Sequence, residues 1–269
     1  MTQIQSPQNP RLKAVRHLHT KRGRARSATF LAEGEDLIAA ARQAGRPALE
    51  GYRLAGSGLG GEDFHDVERD ALASASALGS GTRVMAVYAQ RWCAPRGPLC
   101  VYLHGVGDPG NVGAVLRSAE AFGASCVALG PGCADPHGDK AVRASMGAIF
   151  TVQLAHVRDI SQLPGERVAL VAGAGEPLRG PCGDGERQSG VGAGIAASAE
   201  ASADGVTLLI GAERDGLPQD VVDACERVAH IPIASHSLNA AMAATVALYE
   251  MTRRPSRRPA RPIGTVPTS

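Results

Sequence analysis

Aromatic side chains are scarce in this chain: 3% of 269 residues, with one Trp, four Tyr and four Phe. Any core must therefore come from Val, Leu, Ile and Ala, and a hydrophobic content of 44% is enough to build one. No run of about 18 apolar residues occurs, so no membrane span is expected. The N-terminus is polar and basic and lacks an apolar h-region, which argues for a cytoplasmic rather than a secreted protein. Six scattered cysteines (Cys93, Cys100, Cys126, Cys133, Cys182 and Cys225) form no C-x-x-C pair. That spacing predicts no metal site and thiols kept reduced. Neither a G-x-G-x-x-G fingerprint nor a P-loop is read in the chain, so a standard dinucleotide or ATP site is not expected.

Acid is absent from both ends. Residues 1–26 hold seven bases, Arg11, Lys13, Arg16, Lys21, Arg22, Arg24 and Arg26, and residues 253–269 hold five Arg. All 26 acids lie between, with sixteen bases, giving that stretch a net charge of −10. A basic arm on an acidic body suits a polyanion, because neutralising phosphates releases counterions. The N-terminal arm is accordingly assigned to RNA, through Arg11, Lys13, Arg16, Lys21, Arg22 and Arg24. The Arg/Pro tail reads as a disordered, solubilising one.

Periodicity divides the chain into residues 1–90, a linker at 91–97, residues 98–252 and the tail 253–269. The first unit should hold a helix over 9–22, a strand at Thr29–Ala32 and a helix at Glu33–Ala44 burying Leu37, Ile38 and Ala41. Strands near Tyr52–Leu54 and Arg83–Ala86 should flank a helix near Val67–Leu78. The second unit alternates apolar strands (Leu99–Leu103, Ser125–Leu129, Arg167–Ala172, Val206–Ile210, Ala229–Ile233) with helices (Asn111–Phe122, Val142–Ile149, Pro218–Cys225, Leu238–Met251). That pattern predicts an α/β fold around a parallel sheet covered on both faces. Residues 174–205, rich in Gly, Ala and Ser, read as a flexible insertion.

In such sheets ligands bind beyond the carboxyl ends of the strands. Three loops there stand out. In Asp108-Pro109-Gly110-Asn111-Val112-Gly113, Asn111 suits a helix N-cap and Arg117 follows two turns on. In Gly211-Ala212-Glu213-Arg214-Asp215-Gly216-Leu217-Pro218, Glu213 can reach a ligand at the sheet edge. In Ile231-Pro232-Ile233-Ala234-Ser235-His236-Ser237-Leu238-Asn239, Ser237 would cap the last helix and Asn239 would sit in its first turn. His236 is either a base or simply solvated.

Taken in order, these loops resemble the signature motifs of the TrmH/SpoU branch of the SPOUT class of RNA methyltransferases. Asn111-Val112-Gly113 with Arg117 resembles the first motif, Gly211 to Pro218 the second, and Ile231-Pro232-Ile233 with Ser237-Leu238-Asn239 the third. Asp139 to Gly147 resembles the segment between the first two. Phe30-Leu31-Ala32-Glu33-Gly34 looks like part of the family's L30e-like RNA-binding domain. Departures are His104, where relatives often carry an acid, the run Ala240-Ala241-Met242, and the 174–205 insertion.

The resemblance implies a deep trefoil knot, a homodimer, and S-adenosylmethionine as cofactor, held near Gly130, Gly211, Ile231 and Leu238. The implied reaction methylates a ribose 2′-hydroxyl, with ribosomal RNA favoured over tRNA as substrate. Arg117 would be the principal catalytic residue. A guanidinium stays protonated near neutrality, so its physical role is to bind phosphate or the 2′-oxygen and stabilise developing alkoxide. Asn111 would place the ribose, Glu213 would order the site and take part in proton removal, and Ser237 and Asn239 would complete the network. The reading from another class is a non-catalytic RNA-binding assembly factor.

Overall fold

In the computed structural model, residues 3–78, 81–180, 205–234 and 237–253 are described. The N-terminal basic stretch is folded rather than an arm. Asn9 caps α1 (Pro10–His17) by accepting from the Arg11 amide, and Pro10 presets the first turn. Thr20 caps a separate α2 (Lys21–Ser27), so the single helix expected over 9–22 is two. Leu12, Val15 and Leu18 are buried, which seats the charged segment on the core.

β1 (Thr29–Glu33), β2 (Glu50–Leu54), β3 (His65–Val67) and β4 (Val84–Ala89) form a sheet in the order β1-β4-β2-β3. α3 (Glu35–Gln43) buries Leu37, Ile38 and Ala41, the predicted face. Glu33, at the end of β1, is buried and accepts from the Ala77 amide at 2.9 Å and the Thr82 hydroxyl at 3.1 Å. It thereby ties β1 to the segment that follows α4 (Arg69–Ala75).

After an element-free stretch over 90–98, seven strands form one parallel sheet. They are β5 (Leu99–Leu103), β6 (Cys126–Leu129), β7 (Gln153–His156), β8 (Glu166–Leu170), β9 (Glu176–Pro177), β10 (Val206–Ile210) and β11 (Arg227–His230). Their order is β7-β6-β5-β10-β8-β11-β9. Two strands go beyond the five expected. β7 was hidden by its polar ends, and β9 falls at the start of the supposed insertion and pairs with β11. Residues 181–204, and 254–269 of the tail, lie outside the described residues.

The alternation of strand side chains sorts the core. Val101, Leu103, Val127, Leu129, Leu208 and Ile210 pack with α5 (Pro109–Ala121) and α8 (Ala240–Thr252). Cys100, Tyr102, Cys126, Ala128 and Leu209 turn to the other face, where Leu217 and Val221 near α7 (Gln219–Asp223) cover them. α6 (Asp139–Ala144) stops earlier than expected and gives way to a 3-10 turn at Ala148–Phe150.

Three of the few aromatics, Phe30, Tyr88 and Phe150, gather between the two sheets. Phe30 and Tyr88 meet Phe150 at ring-centroid distances of 5.9 and 4.8 Å, and Phe30 lies 4.9 Å from His137. Two ion pairs join the halves beside them. Arg24 reaches Asp135 at 2.8 Å, and His19 Nδ1 lies 2.7 Å from Asp139.

Candidate functional site at the carboxyl edge of the parallel sheet

His104, Gly130, Gly211 and Ile231 each come directly after a strand, β5, β6, β10 and β11 respectively. Parallel pairing brings all four to one edge of the sheet. Gly211 and Ile231 stand two strand spacings apart, about 10 Å, and Gly130 and Ile231 four, about 19 Å.

α5 starts at Pro109, with Asp108 as its N-cap accepting from the Gly110 and Asn111 amides at 2.6 and 3.1 Å. This corrects the assignment of the cap to Asn111, which lies in the first turn with its side chain released for other work. Asp before Pro was the readable signal, since Pro suits the first helical position. Lys140 of α6 pairs with Asp108 at 2.8 Å and, with the two amides, holds that carboxyl below its ordinary range. Gly113 has a packing reason: a Cβ there would collide with the Ala141 carbonyl and Ala144 of α6.

The loop does carry G-x-G-x-x-G spacing, at Gly105, Gly107 and Gly110. Its chemistry is nevertheless wrong for a pyrophosphate. Pro109 removes one amide of the helix N-terminus, and the Asp108 carboxylate already occupies two others.

Gly211 and Gly216 make the second loop tight. Ala212 and Gly216 exchange backbone hydrogen bonds at 3.2 and 3.0 Å, Gly216 takes φ +67°, and a Cβ on Gly211 would strike Gly216. Glu213 rides on this reversal, exposed. In the third loop Asn239, not Ser237, is the N-cap of α8, accepting from Ala241 and Met242 amides at 2.9 and 3.3 Å. Ser237 is exposed two residues before it, and His236 lies outside the described residues.

The three loops converge through side-chain amides. Asn239 donates from Nδ2 to Asn111 Oδ1 at 3.0 Å, and Asn111 donates from its own Nδ2 to Glu213 Oε1. Because Asn239 Oδ1 is fixed on the helix amides, the direction of every bond in this relay is set. Arg117 is not part of it. Six residues on from Asn111, it stands about 120° round the helix and about 9 Å along it. Its side chain is exposed and forms no hydrogen bond or ion pair among the described residues.

The residues expected to hold a cofactor, Gly130, Gly211, Ile231 and Leu238, are all half-buried, and Ile233 beside them is exposed. Residues 231–234 form no backbone hydrogen bond with another described residue. Apolar side chains beside unspent backbone donors and acceptors suit an adenine ring. Gly130 has a nearer reason to be glycine, since a Cβ would meet the Tyr102 hydroxyl, which bonds His104 Nδ1 at 3.1 Å. A surface hollow of about 310 Å³ lined by Ile38, Arg42, Arg46, Phe64 and Tyr88 lies on the first unit and includes none of the three loops.

Of the six bases assigned to RNA, Arg24 is corrected. It is 5% exposed, held by Asp135 and by the Leu18 carbonyl at 2.7 Å, and so serves the junction between the sheets. Arg11 binds Glu50 and lies 3.0 Å from His65, while Arg16 binds Ser74 and the Pro7 carbonyl. Lys13, Lys21 and Arg22 are exposed and form no ion pair among the described residues. No cluster of metal ligands occurs among the described residues. None of the described helices is long and apolar enough to cross a membrane.

This arrangement is that of a SPOUT-class α/β protein. Residues 98–249 match the model of the SpoU rRNA Methylase family, and the chain belongs to that family. Residues 9–58 match the MRM3-like substrate binding domain. Over 93% of its length the chain is 25% identical to the 23S rRNA (guanosine(2553)-2′-O)-methyltransferase RlmP of Bacillus subtilis, covering 99% of that protein. It is also similar to the AdoMet-bound rRNA methyltransferase of Sinorhizobium meliloti, with a TM-score of 0.74 and 26% identity over 93% of this chain and 96% of that one. The SpoU methyltransferase AviRb of Streptomyces viridochromogenes shares the fold at a TM-score of 0.71 and 24% identity, over 90% and 97%.

Proposed function

We propose that this chain transfers the methyl group of S-adenosylmethionine to a ribose 2′-hydroxyl of ribosomal RNA. The observation that carries the reading is the relay Glu213–Asn111–Asn239, which draws one polar residue from each of the three loops into a single site. When bound, the cofactor supplies a sulfonium methyl that needs no further activation. Gly211, Ile231 and Leu238 would hold it, with Gly130 toward the far side. The protein's task is then to place the 2′-oxygen and manage its proton. Asn111, spent on both sides by Asn239 and Glu213, holds the Glu213 carboxylate at the mouth of the site, where it can accept that proton. Arg117, whose guanidinium has no partner among the described residues, binds phosphate or stabilises negative charge on the attacking oxygen. Ser237 adds a hydroxyl beside the relay.

The working unit in this reading is a homodimer. Met242, Val246 and Tyr249 lie at helical spacing on α8 and are 61%, 41% and 55% exposed, an apolar stripe suited to a second copy. α5 packs on α8, with Ser118 bonded to Thr245 at 2.6 Å, so Arg117 sits beside that stripe and would work near the partner's cofactor. A trefoil knot is part of the same proposal. It is supported by the tight passage of residues 175–180, where added Cβ atoms at Gly175 and Gly180 would collide with the backbone of Val228 and Glu250. The N-terminal unit, through Lys13, Lys21 and Arg22, would grip the RNA.

The test uses the full chain, methyl-labelled S-adenosylmethionine, and ribosomal RNA or tRNA from cells lacking the gene. Label should enter ribosomal RNA and survive as alkali-resistant dinucleotides, since a methylated 2′-oxygen cannot attack its phosphate. Label in alkali-sensitive mononucleotides, or no incorporation at all, overturns the reading. Incorporation into tRNA alone moves the substrate to that class.

A further inference from the structure

The chain's single tryptophan, Trp92, lies in the stretch between the two sheets and is 36% exposed. Its indole stacks on His156, with ring centroids 3.7 Å apart and planes 25° from parallel. His137 packs against it edge-on at 5.1 Å, and the indole N–H donates to Gln90 at 3.4 Å. An indole that merely sealed the junction would be buried, as Phe30 and Tyr88 are. His156 is exposed as well.

The segment carrying Trp92 is anchored. The Cys93 amide donates to the Leu154 carbonyl at 2.8 Å, and Arg96 donates to Gln153 at 2.9 Å, so the stretch runs clamped along the edge strand β7. The stacked pair is therefore held in place before any ligand arrives. Two bases, Lys21 and Arg158, lie near enough for their charge to act on His156, and a third, Arg91, precedes Trp92 in sequence. All three are exposed and form no hydrogen bond or ion pair among the described residues. The one acid acting on His156, Asp135, is already bound to Arg24. Desolvation first, then Lys21 and Arg158, lower the proton affinity of His156, so its ring is a neutral stacking surface near pH 7.

Position completes the case. His156, Leu129, Leu103 and Ile210 are aligned neighbours across four parallel strands, and Gly211 follows Ile210. Three strand spacings, about 14 Å, separate the ring pair from the relay loop. That is about four stacked nucleotides at 3.4 Å each.

We propose that Trp92 and His156 form a stacking platform for one unpaired nucleobase of the RNA substrate, with Lys21, Arg91 and Arg158 on the flanking phosphates. The proposal rests on the reading of the chain as an RNA methyltransferase. An exposed aromatic face amid unpaired bases is what single-stranded RNA recognition uses, and stacking accepts any base.

Because Trp92 is the sole tryptophan, the intact protein reports directly on the contact. A fluorescently labelled single-stranded oligoadenylate 12-mer is titrated while anisotropy and tryptophan emission are recorded, and a duplex 12-mer serves as control. The single strand should bind and quench the emission, and the duplex should bind with little quenching. Trp92→Ala should weaken single-strand binding between about five- and a hundred-fold, Trp92→Phe should retain most of it, and His156→Ala should fall between. Binding without quenching, equal quenching by the duplex, or a folded Trp92→Ala at full affinity each overturns the platform. Should Trp92→Ala not fold, Trp92→Phe and His156→Ala decide by the same criteria. If neither oligonucleotide nor ribosomal RNA binds at all, it is the methyltransferase reading that fails, and the platform falls with it.

Discussion

Asn239 and Asn111, 128 positions apart, are joined by one hydrogen bond of 3.0 Å from Asn239 Nδ2 to Asn111 Oδ1. Each residue has a second task. Asn239 caps α8, and Asn111 holds Glu213. The start of the last helix thus sets where the acidic loop points.

That linkage separates two roles for Glu213. Glu213→Gln keeps an oxygen to accept from Asn111 but cannot take a proton. If Glu213 removes the 2′-proton, Glu213→Gln should lose about two or more orders of magnitude in single-turnover rate, with cofactor affinity unchanged. Asn239→Ala should cost about 1 kcal/mol in stability through the lost cap and should also lower the rate. A near-normal rate for Glu213→Gln would leave Glu213 as an ordering residue only. Chemical melts and single-turnover methylation measure both.

Much of this frame could be read from the sequence. Leu99–Leu103 and Val206–Ile210 have the bounds predicted for them, because continuous apolar runs between Gly/Pro turns leave little else to form. β11 starts two residues and ends three residues earlier than expected. Ile231-Pro232-Ile233 is apolar, but Pro232 lacks an amide for a ladder, and it is Arg227–Ala229 that pair with β8. A helix was legible over 9–22, but its break at Thr20 and the burial of Leu12, Val15 and Leu18 were not, because seven bases give the stretch the composition of a solvated arm. The fate of Arg24 was invisible for another reason: its partner Asp135 lies 111 positions on, and nothing local marks the pair.

The buried Arg24 and the exposed bases should therefore respond in opposite ways. Arg24→Ala leaves Asp135 without its partner and should destabilise the protein by roughly 3 kcal/mol, with the salt dependence of RNA binding unchanged. The triple change Lys13→Ala, Lys21→Ala and Arg22→Ala should leave the melting temperature nearly alone. It should flatten the log–log salt slope by about 0.7–0.9 per lost phosphate contact. Thermal melts together with RNA titrations at several salt concentrations make the comparison. An Arg24→Ala protein with native stability and a flatter slope would return that residue to the RNA surface.

Stability should also depend on pH through His137. Burial lowers its pKa to about 4 against an ordinary 6.5. The unfolded chain then binds a proton more readily than the folded one, so stability rises with pH across that window. The contribution is complete above about 6.5 and is lost as pH falls toward 4, for a total of about 3 kcal/mol. His19 runs the other way: its hydrogen bond to Asp139 raises its pKa, so its contribution is present at lower pH and fades as pH rises through the folded value. Denaturant melts between pH 4.5 and 7 should show the net acid loss, and His137→Phe should reduce its slope. An unchanged slope in that variant would assign the acid sensitivity elsewhere.

Arg117 gives the sharpest test of the chemistry. Its side chain is exposed on α5 and supports nothing inside the described residues, so Arg117→Ala should leave melting temperature, dimer and cofactor affinity intact. If its guanidinium stabilises charge on the attacking oxygen, the single-turnover rate should fall about 100- to 1,000-fold. Arg117→Lys keeps the charge but loses the planar fork, and should recover only part of that loss. The wild-type pH–rate profile should contain no limb that vanishes in Arg117→Lys, because the residue does not titrate near neutrality. The apolar stripe on neighbouring α8 adds a second arm. If Arg117 works beside the partner's cofactor, Val246→Asp, which would break a dimer seated on that stripe, should lower the rate even at saturating cofactor. Mixing inactive Arg117→Ala chains with chains disabled at Glu213 should then restore activity in mixed dimers. Full activity of the Arg117→Ala protein would remove this residue from the mechanism, and failure of mixed dimers to recover any rate would place both residues in the same subunit's site.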